Sequence, residues 1–176
     1  MRSMACGVVV AAAMAVCATS AFAQSDLRSY GLFQVGATTG EYATAQVSQQ
    51  PKLAIGADFG EALNRHVEIY LAGAWQEEVQ AGLRDTFRLT SGVKIMLTRD
   101  TYVRPYLMAG GGVMHFRLPE ALQLDGTNKF LTEFGGGVAF PVGTQGYIDI
   151  GYRYFKPYNA PDFTPNGVFA GFGFRY

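Results

Sequence analysis

Eight stretches of this sequence alternate apolar and non-apolar residues with a period of two, and in none of them does a charged residue fall on the apolar side. Successive side chains of an extended chain point to opposite faces, so a period of two is the mark of a strand. The stretches span residues 30–38, 52–60, 66–76, 86–97, 102–116, 130–141, 147–155 and 167–176. No helical period of useful length, low-complexity segment or interdomain linker interrupts them, which predicts an all-β chain with one core.

The apolar face carries Phe33, Val35, Leu53, Ile55, Ile69, Trp75, Phe87, Val93, Ile95, Phe134, Ile148, Ile150 and their neighbours at the same parity. The opposite face carries Asp58, Glu68, Arg88, Lys94, Arg104, Glu133, Asp149, Arg153 and Arg175, among small residues such as Gly36, Gly56, Ala72, Gly92, Gly110, Gly137, Gly151 and Gly173. Alternation does not say which face is outside, but size and charge do. Small residues fit the inside of a narrow cylinder, and eight strands leave an interior that side chains fill. A Lys or Arg turned to the hydrocarbon midplane costs about 2–4 kcal/mol, whereas four acids and five bases enclosed together can pair. A soluble sandwich would reverse the arrangement, with its charge-rich face outward and its apolar face within.

The connections agree with a barrel in lipid. "EALNR", "TRD" and "VGTQG" are short, whereas "TGEYATAQVSQQP", "EEVQAGLRD", "RLPEALQLDGTN" and "KPYNAPDFTPN" are long. Short turns at one end and long loops at the other are the layout of an outer-membrane barrel. Alternating strand direction puts Trp75, Phe87 and Tyr154 at one rim and Phe59, Phe140 and Tyr176 at the other, where interfacial rings belong. The expected fold is an all-β, eight-stranded antiparallel up-and-down transmembrane β-barrel. In the fifth stretch Pro105 and three glycines blur the faces. Two registers compete there: Arg104 inside with Leu107, Ala109 and Val113 outside, or Met108, Met114 and Phe116 outside. The first is adopted because it encloses the charge.

The leader "MRSMACGVVVAAAMAVCATSAFAQ" has one early cation, an apolar run and the small-x-small site Ala21-Phe22-Ala23. It predicts a signal peptide over residues 1–23, cleaved before Gln24, and a barrel domain over 24–176. The apolar run is shorter than the roughly 20 residues of a spanning helix. Cys6 and Cys17 both lie in the leader, so thiol chemistry and Cys-based zinc sites are not expected of the processed chain. With Arg2 removed the charge is near balance, and no nucleic-acid partner is expected.

The segments "RPYLMAGGGV", "EFGGGVAF" and "YIDIGYRYF", with the ending "GVFAGFGFRY", resemble the small eight-stranded outer-membrane barrels of Gram-negative bacteria, like the transmembrane part of outer membrane protein A. The resemblance runs from Ser29 to Tyr176. It implies a monomer in the bacterial outer membrane, in contact with outer-membrane lipid and lipopolysaccharide. By the same resemblance Val168, Ala170, Phe172, Phe174 and Tyr176 form the signal read by the barrel-assembly machinery, with periplasmic chaperones acting beforehand. No wall-binding segment follows Tyr176, so wall anchoring is not carried over.

Three functional classes follow. One is a structural or surface-interaction barrel with a lumen plugged by ion pairs. In it Glu68, Glu133, Arg88 and Arg153 are the expected central members, and a small gated pore results if they switch partners. The second is a lipid A-modifying enzyme of the acyl hydrolase type. Nucleophile and base must then come within hydrogen-bond reach. Outside the leader the chain has only His66 and His115, with Ser25, Ser29, Ser48 and Ser91. Only His115 with Ser48 could plausibly meet. In "FKPYNAPDFTPNG", which loosely resembles the lipid A deacylase region, Lys156 and Tyr158 stand where its His and Ser should be. The third is recognition by long loops bearing Tyr42, Leu122, Leu124, Tyr158 and Phe163. No catalytic residue, cofactor or metal site is assigned. The "GGG" triplets at 110–112 and 135–137 lack the following Lys and Ser/Thr of a phosphate loop and open no helix.

Overall fold

The structure, a computed structural model, describes residues 29–41, 51–77, 86–98, 101–116, 127–158 and 164–176. The expected leader, Ser48 and most of the long loops, with Tyr42, Leu122, Leu124 and Phe163, lie outside them, whereas Tyr158 is described and exposed. Eight strands are formed: β1 (Ser29–Glu41), β2 (Lys52–Ala62), β3 (Val67–Gln76), β4 (Thr86–Met96), β5 (Arg104–Phe116), β6 (Thr127–Val142), β7 (Gly146–Pro157) and β8 (Thr164–Arg175). Each pairs antiparallel with its neighbours in sequence, and β1 also pairs with β8, from Tyr30 opposite Arg175 to Glu41 opposite Thr164. The sheet is thus closed and has no free edge, the condition under which strands survive in lipid.

The three short connections define a turn end. Asn64 accepts from the backbone N–H of His66 and Val67 at 2.8 and 2.9 Å, folding the β2–β3 turn on a single amide. Gly143 turns β6 into β7 at φ 67°, a left-handed conformation that suits glycine. Between β4 and β5 the Thr98 hydroxyl donates to the Val103 carbonyl at 3.2 Å, and the Leu97 N–H reaches the Pro105 carbonyl at 2.9 Å. Tyr102 and Val103, expected in the fifth strand, belong to this turn. Conversely, β6 starts three residues before the expected Phe130, and β8 three before Gly167. The added residues include Asn128, Lys129 and Asn166. Backbone ladders continue there past the apolar belt, where side chains stop alternating in polarity.

The outer surface is the apolar face. Phe33, Val35, Ile55, Ile95, Phe134, Ile150, Val168 and Phe174 are all exposed. The fifth strand adopts the register with Arg104 on the inner side: Leu107 and Val113 are 57% and 40% exposed, Met108 and Met114 4% and 0%. The flexible thioether chains fill gaps beside the lumen glycines; a Cβ on Gly135 would stand 3.2 Å from Met108 Cγ. At the loop end Trp75 and Phe87 are direct cross-strand partners. Near the turn end Phe172 and Phe174 meet edge to face at 4.7 Å on the lipid side.

Candidate functional site

The candidate site is the lumen, where the chain places its buried polar groups. Glycine makes room for it. A Cβ on Gly137 or Gly151 would lie 2.6 or 2.7 Å from the Tyr106 hydroxyl, and one on Gly173 2.6 Å from that of Tyr147. Large rings therefore lie flat against bare backbone on the facing strands. Side chains thus occupy the lumen at the heights of these glycines.

At mid-height the Arg153 guanidinium (β7) bridges two carboxylates, Asp58 of β2 and Glu133 of β6, the latter at 3.3 Å. Each acid has a second donor: Gln34 Nε2 gives to Asp58 Oδ2 at 3.0 Å, and the Tyr70 hydroxyl to Glu133 Oε2 at 3.1 Å. Buried charge is tolerated only when paired and hydrogen-bonded in this way. Towards the turn end, Lys94 Nζ stands 4.8 and 4.6 Å from the ring centroids of Tyr30 and Tyr106, and the Tyr106 hydroxyl donates to Asp149 Oδ1 at 2.8 Å. Below them Arg175 Nη2 meets Glu68 Oε1 at 2.9 Å and stacks over Tyr30 and Tyr147. Towards the loop end Arg88 lies 4.0 Å over the Phe155 ring and 5.2 Å from that of Phe169, and reaches Gln76 Oε1 at 3.3 Å. Ala54, Met114 and Leu131 complete an apolar collar with these two phenylalanines.

Eight of the nine charges assigned to the lumen from sequence thus occupy it, divided among separate levels rather than joined in one network. Two of the expected central members need correction. Glu68 pairs with Arg175 near the turn end because β3 enters the barrel there, and Arg88 packs against two rings and hydrogen-bonds an amide, with no salt bridge to an acid among the described residues. Arg104 departs furthest: it is half-exposed at the turn end, where its Nε reaches the Thr101 carbonyl at 3.4 Å. As the first residue of β5 it sits at the rim. The residues passed over are Gln34, Gln76, the tyrosines Tyr30, Tyr70, Tyr106 and Tyr147, and the phenylalanines Phe155 and Phe169. All are buried, and all stand at the parity of the charges, which was the signal available for them.

On the outside of β8 Val168, Ala170, Phe172 and Phe174 are exposed in line, with Tyr176 beyond them. The histidines are apart. His66 Nδ1 lies 3.0 Å from the Met96 carbonyl at the turn end, and His115 Nδ1 lies 2.8 Å from Asn128 Oδ1, its cross-strand partner at the loop end. Ser91 is exposed on the outer face opposite Gly111, four residues down β5 from His115, or about 13 Å at strand rise. Among the described residues no group of three His, Cys, Asp or Glu could hold a metal ion.

No protein-family model and no curated protein matches the sequence. Solved structures do match in shape. Neisserial surface protein A aligns with a TM-score of 0.70 at 13% identity, over 84% of this chain and 97% of its own. The attachment invasion locus protein of Yersinia pestis gives 0.59 at 17% identity, over 86% and 100%. The N-terminal β-barrel domain of Pseudomonas aeruginosa OprF gives 0.55 at 14%, over 82% and 97%. The closed eight-strand order, the oily exterior and the polar interior are thus those of a common architecture, and the chain has the fold of the small eight-stranded outer-membrane β-barrels.

Proposed function

We propose that this chain is a small integral protein of the bacterial outer membrane with both termini in the periplasm. Its barrel is a rigid, closed scaffold, and its work is done at the surface, in envelope integrity or in recognition by the long loops. The observation that carries this reading is the filled lumen: ion pairs join β7 to β2 and β6, and β8 to β3, so side chains cross the barrel rather than line a passage. Its partners on this reading are lipid and lipopolysaccharide, with the assembly machinery reading Val168, Ala170, Phe172, Phe174 and Tyr176 during insertion.

The test is a comparison of cells with and without the protein, joined to recordings in planar bilayers. The reading expects unchanged lipid A mass spectra, no large steady conductance, and loss of surface binding or envelope resistance when residues 39–51 or 156–166 are shortened. A change in lipid A acylation would instead favour an acyl hydrolase, and a stable open current a pore.

A further inference from the structure

We infer that two apolar layers seal the lumen, one on each side of the level where Arg153 holds its acids, and that the ion pairs themselves are not the barrier. The inference rests on the closed-scaffold reading above and names the side chains that do the closing.

The loop-end layer is the cluster of Ala54, Met114, Leu131, Phe155 and Phe169, one each from β2, β5, β6, β7 and β8, none of them more than 2% exposed. The other three strands complete the ring. Gln76 of β3 stands opposite Ala54, and Arg88 of β4 opposite Met114. Gly36 of β1 yields its space to the Phe169 ring, since a Cβ there would lie 2.5 Å from Phe169 Cδ1. The layer also crosses the barrel. In a closed order of eight, β4 and β8 face each other, and Arg88 spans that width to lie 5.2 Å from the Phe169 ring centroid and 4.0 Å from that of Phe155. Phe169 in turn meets Arg153 at 5.6 Å, so the layer rests on the level of Asp58 and Glu133.

The turn-end layer is a second cluster drawn from six strands, in which Tyr30, Met96, Tyr106, Met108 and Tyr147 are the bulkier members, none more than 5% exposed. Tyr30 and Tyr106 come from the opposed strands β1 and β5, yet both rings stand within 5 Å of Lys94 Nζ, at 4.8 and 4.6 Å. Tyr147 closes on Tyr30 edge to face at 6.4 Å. Side chains that line a water-filled passage are accessible to water, and those of both layers are not. Apolar constrictions exclude water and ions by dewetting, and an ion that crossed one would shed its hydration with nothing to replace it. Between the layers Arg88 and Arg153 balance Asp58 and Glu133. A change of partners among these charges leaves both layers in place, so it opens no path.

The test places one thiol between the layers. Thr90 is the next lumen position after Arg88 in β4, opposite Ala72 of the turn-end cluster and 2% exposed, and the chain outside the leader has no cysteine. Thr90→Cys in the refolded, processed barrel is treated with a small neutral alkylating reagent, and labelling is followed by mass spectrometry. Labelling is expected to be slow beside that of the urea-unfolded chain. It should stay within about threefold when Arg153→Gln, Asp58→Asn and Glu133→Gln are added together, and rise about tenfold or more when Phe155→Ala and Phe169→Ala are added instead. Fast labelling of the charge-neutral variant would make the ion pairs the barrier and overturn the inference. Fast labelling of Thr90→Cys alone would overturn it as well, as would an alanine pair labelled no faster than its parent. If that pair does not refold, Phe155→Ala alone carries its arm, and the charge-neutral arm stands without it. The closed-scaffold reading fails by other signs, a change in lipid A or a steady current through the unaltered protein.

Discussion

Arg153 shows how one side chain can decide whether a lumen is tolerable. It bridges Asp58 and Glu133, both almost fully buried, and among the described residues the other side chains that donate hydrogen bonds to these two carboxylates are Gln34 and Tyr70. Breaking such a buried group by removing one partner costs about 3–5 kcal/mol. Arg153→Gln should therefore lower the stability measured by urea titration in lipid vesicles by that order. Adding Asp58→Asn and Glu133→Gln should recover most of the loss, since a neutral trio leaves no charge stranded. A single-variant loss below about 1 kcal/mol would show that water already solvates the acids. The glycines belong to the same scale. Gly137 and Gly151 yield their space to the Tyr106 hydroxyl, whereas Gly73, on the outer face, has nothing within 4 Å of its missing Cβ.

Each strand is an element with two solvents, lipid on one side and the filled lumen on the other. In β4 the sequence "TFRLTSGVKIM" gives alternating exposed and buried positions, with Arg88 and Lys94 within and Phe87, Val93 and Ile95 without. Ser91 is the central residue of the strand, exposed on the outer face opposite Leu71 and Gly111. Ser91→Arg should cost about 2–4 kcal/mol in folding into bilayers, the midplane value for a cation on the lipid face. The same substitution at Leu97, in the turn after the strand, should cost about 1 kcal/mol or less. Equal losses at the two positions would contradict the assignment of the outer face.

Closure is the property of the whole molecule. The β1–β8 seam joins the two ends of the described chain, and no part of the sheet is complete until it forms. Native prolines keep clear of strand centres: Pro105 and Pro165 are second residues of β5 and β8, and Pro157 ends β7. Val35 is paired on both sides, with Ile55 of β2 and Ala170 of β8. Val35→Pro removes an N–H that lipid cannot replace, at several kcal/mol. Unheated gel electrophoresis should then lose the compact, fast-migrating form. An unchanged band would mean that the barrel tolerates an open seam.

The sequence alone determined the strands, their two faces and which face meets lipid. Parity is a covalent consequence of extended chain, and a one-residue slip would put Arg88, Lys94 or Arg153 into hydrocarbon. Even the ambiguous fifth strand followed from this rule, with Met108 and Met114 inside. Strand ends were less legible, because past the apolar belt residues such as Asn128 and Lys129 stay in the ladder without alternating in polarity. Partnership inside the lumen was decided only by the tertiary structure. Arg153 and Asp58 are 95 residues apart in sequence and sit on strands that are not neighbours. Which acid faces which base depends on the stagger at which the sheet closes, and no local pattern encodes that height. The same stagger sends Glu68 to Arg175, leaves Arg104 at the rim, and puts Arg88 between two phenyl rings.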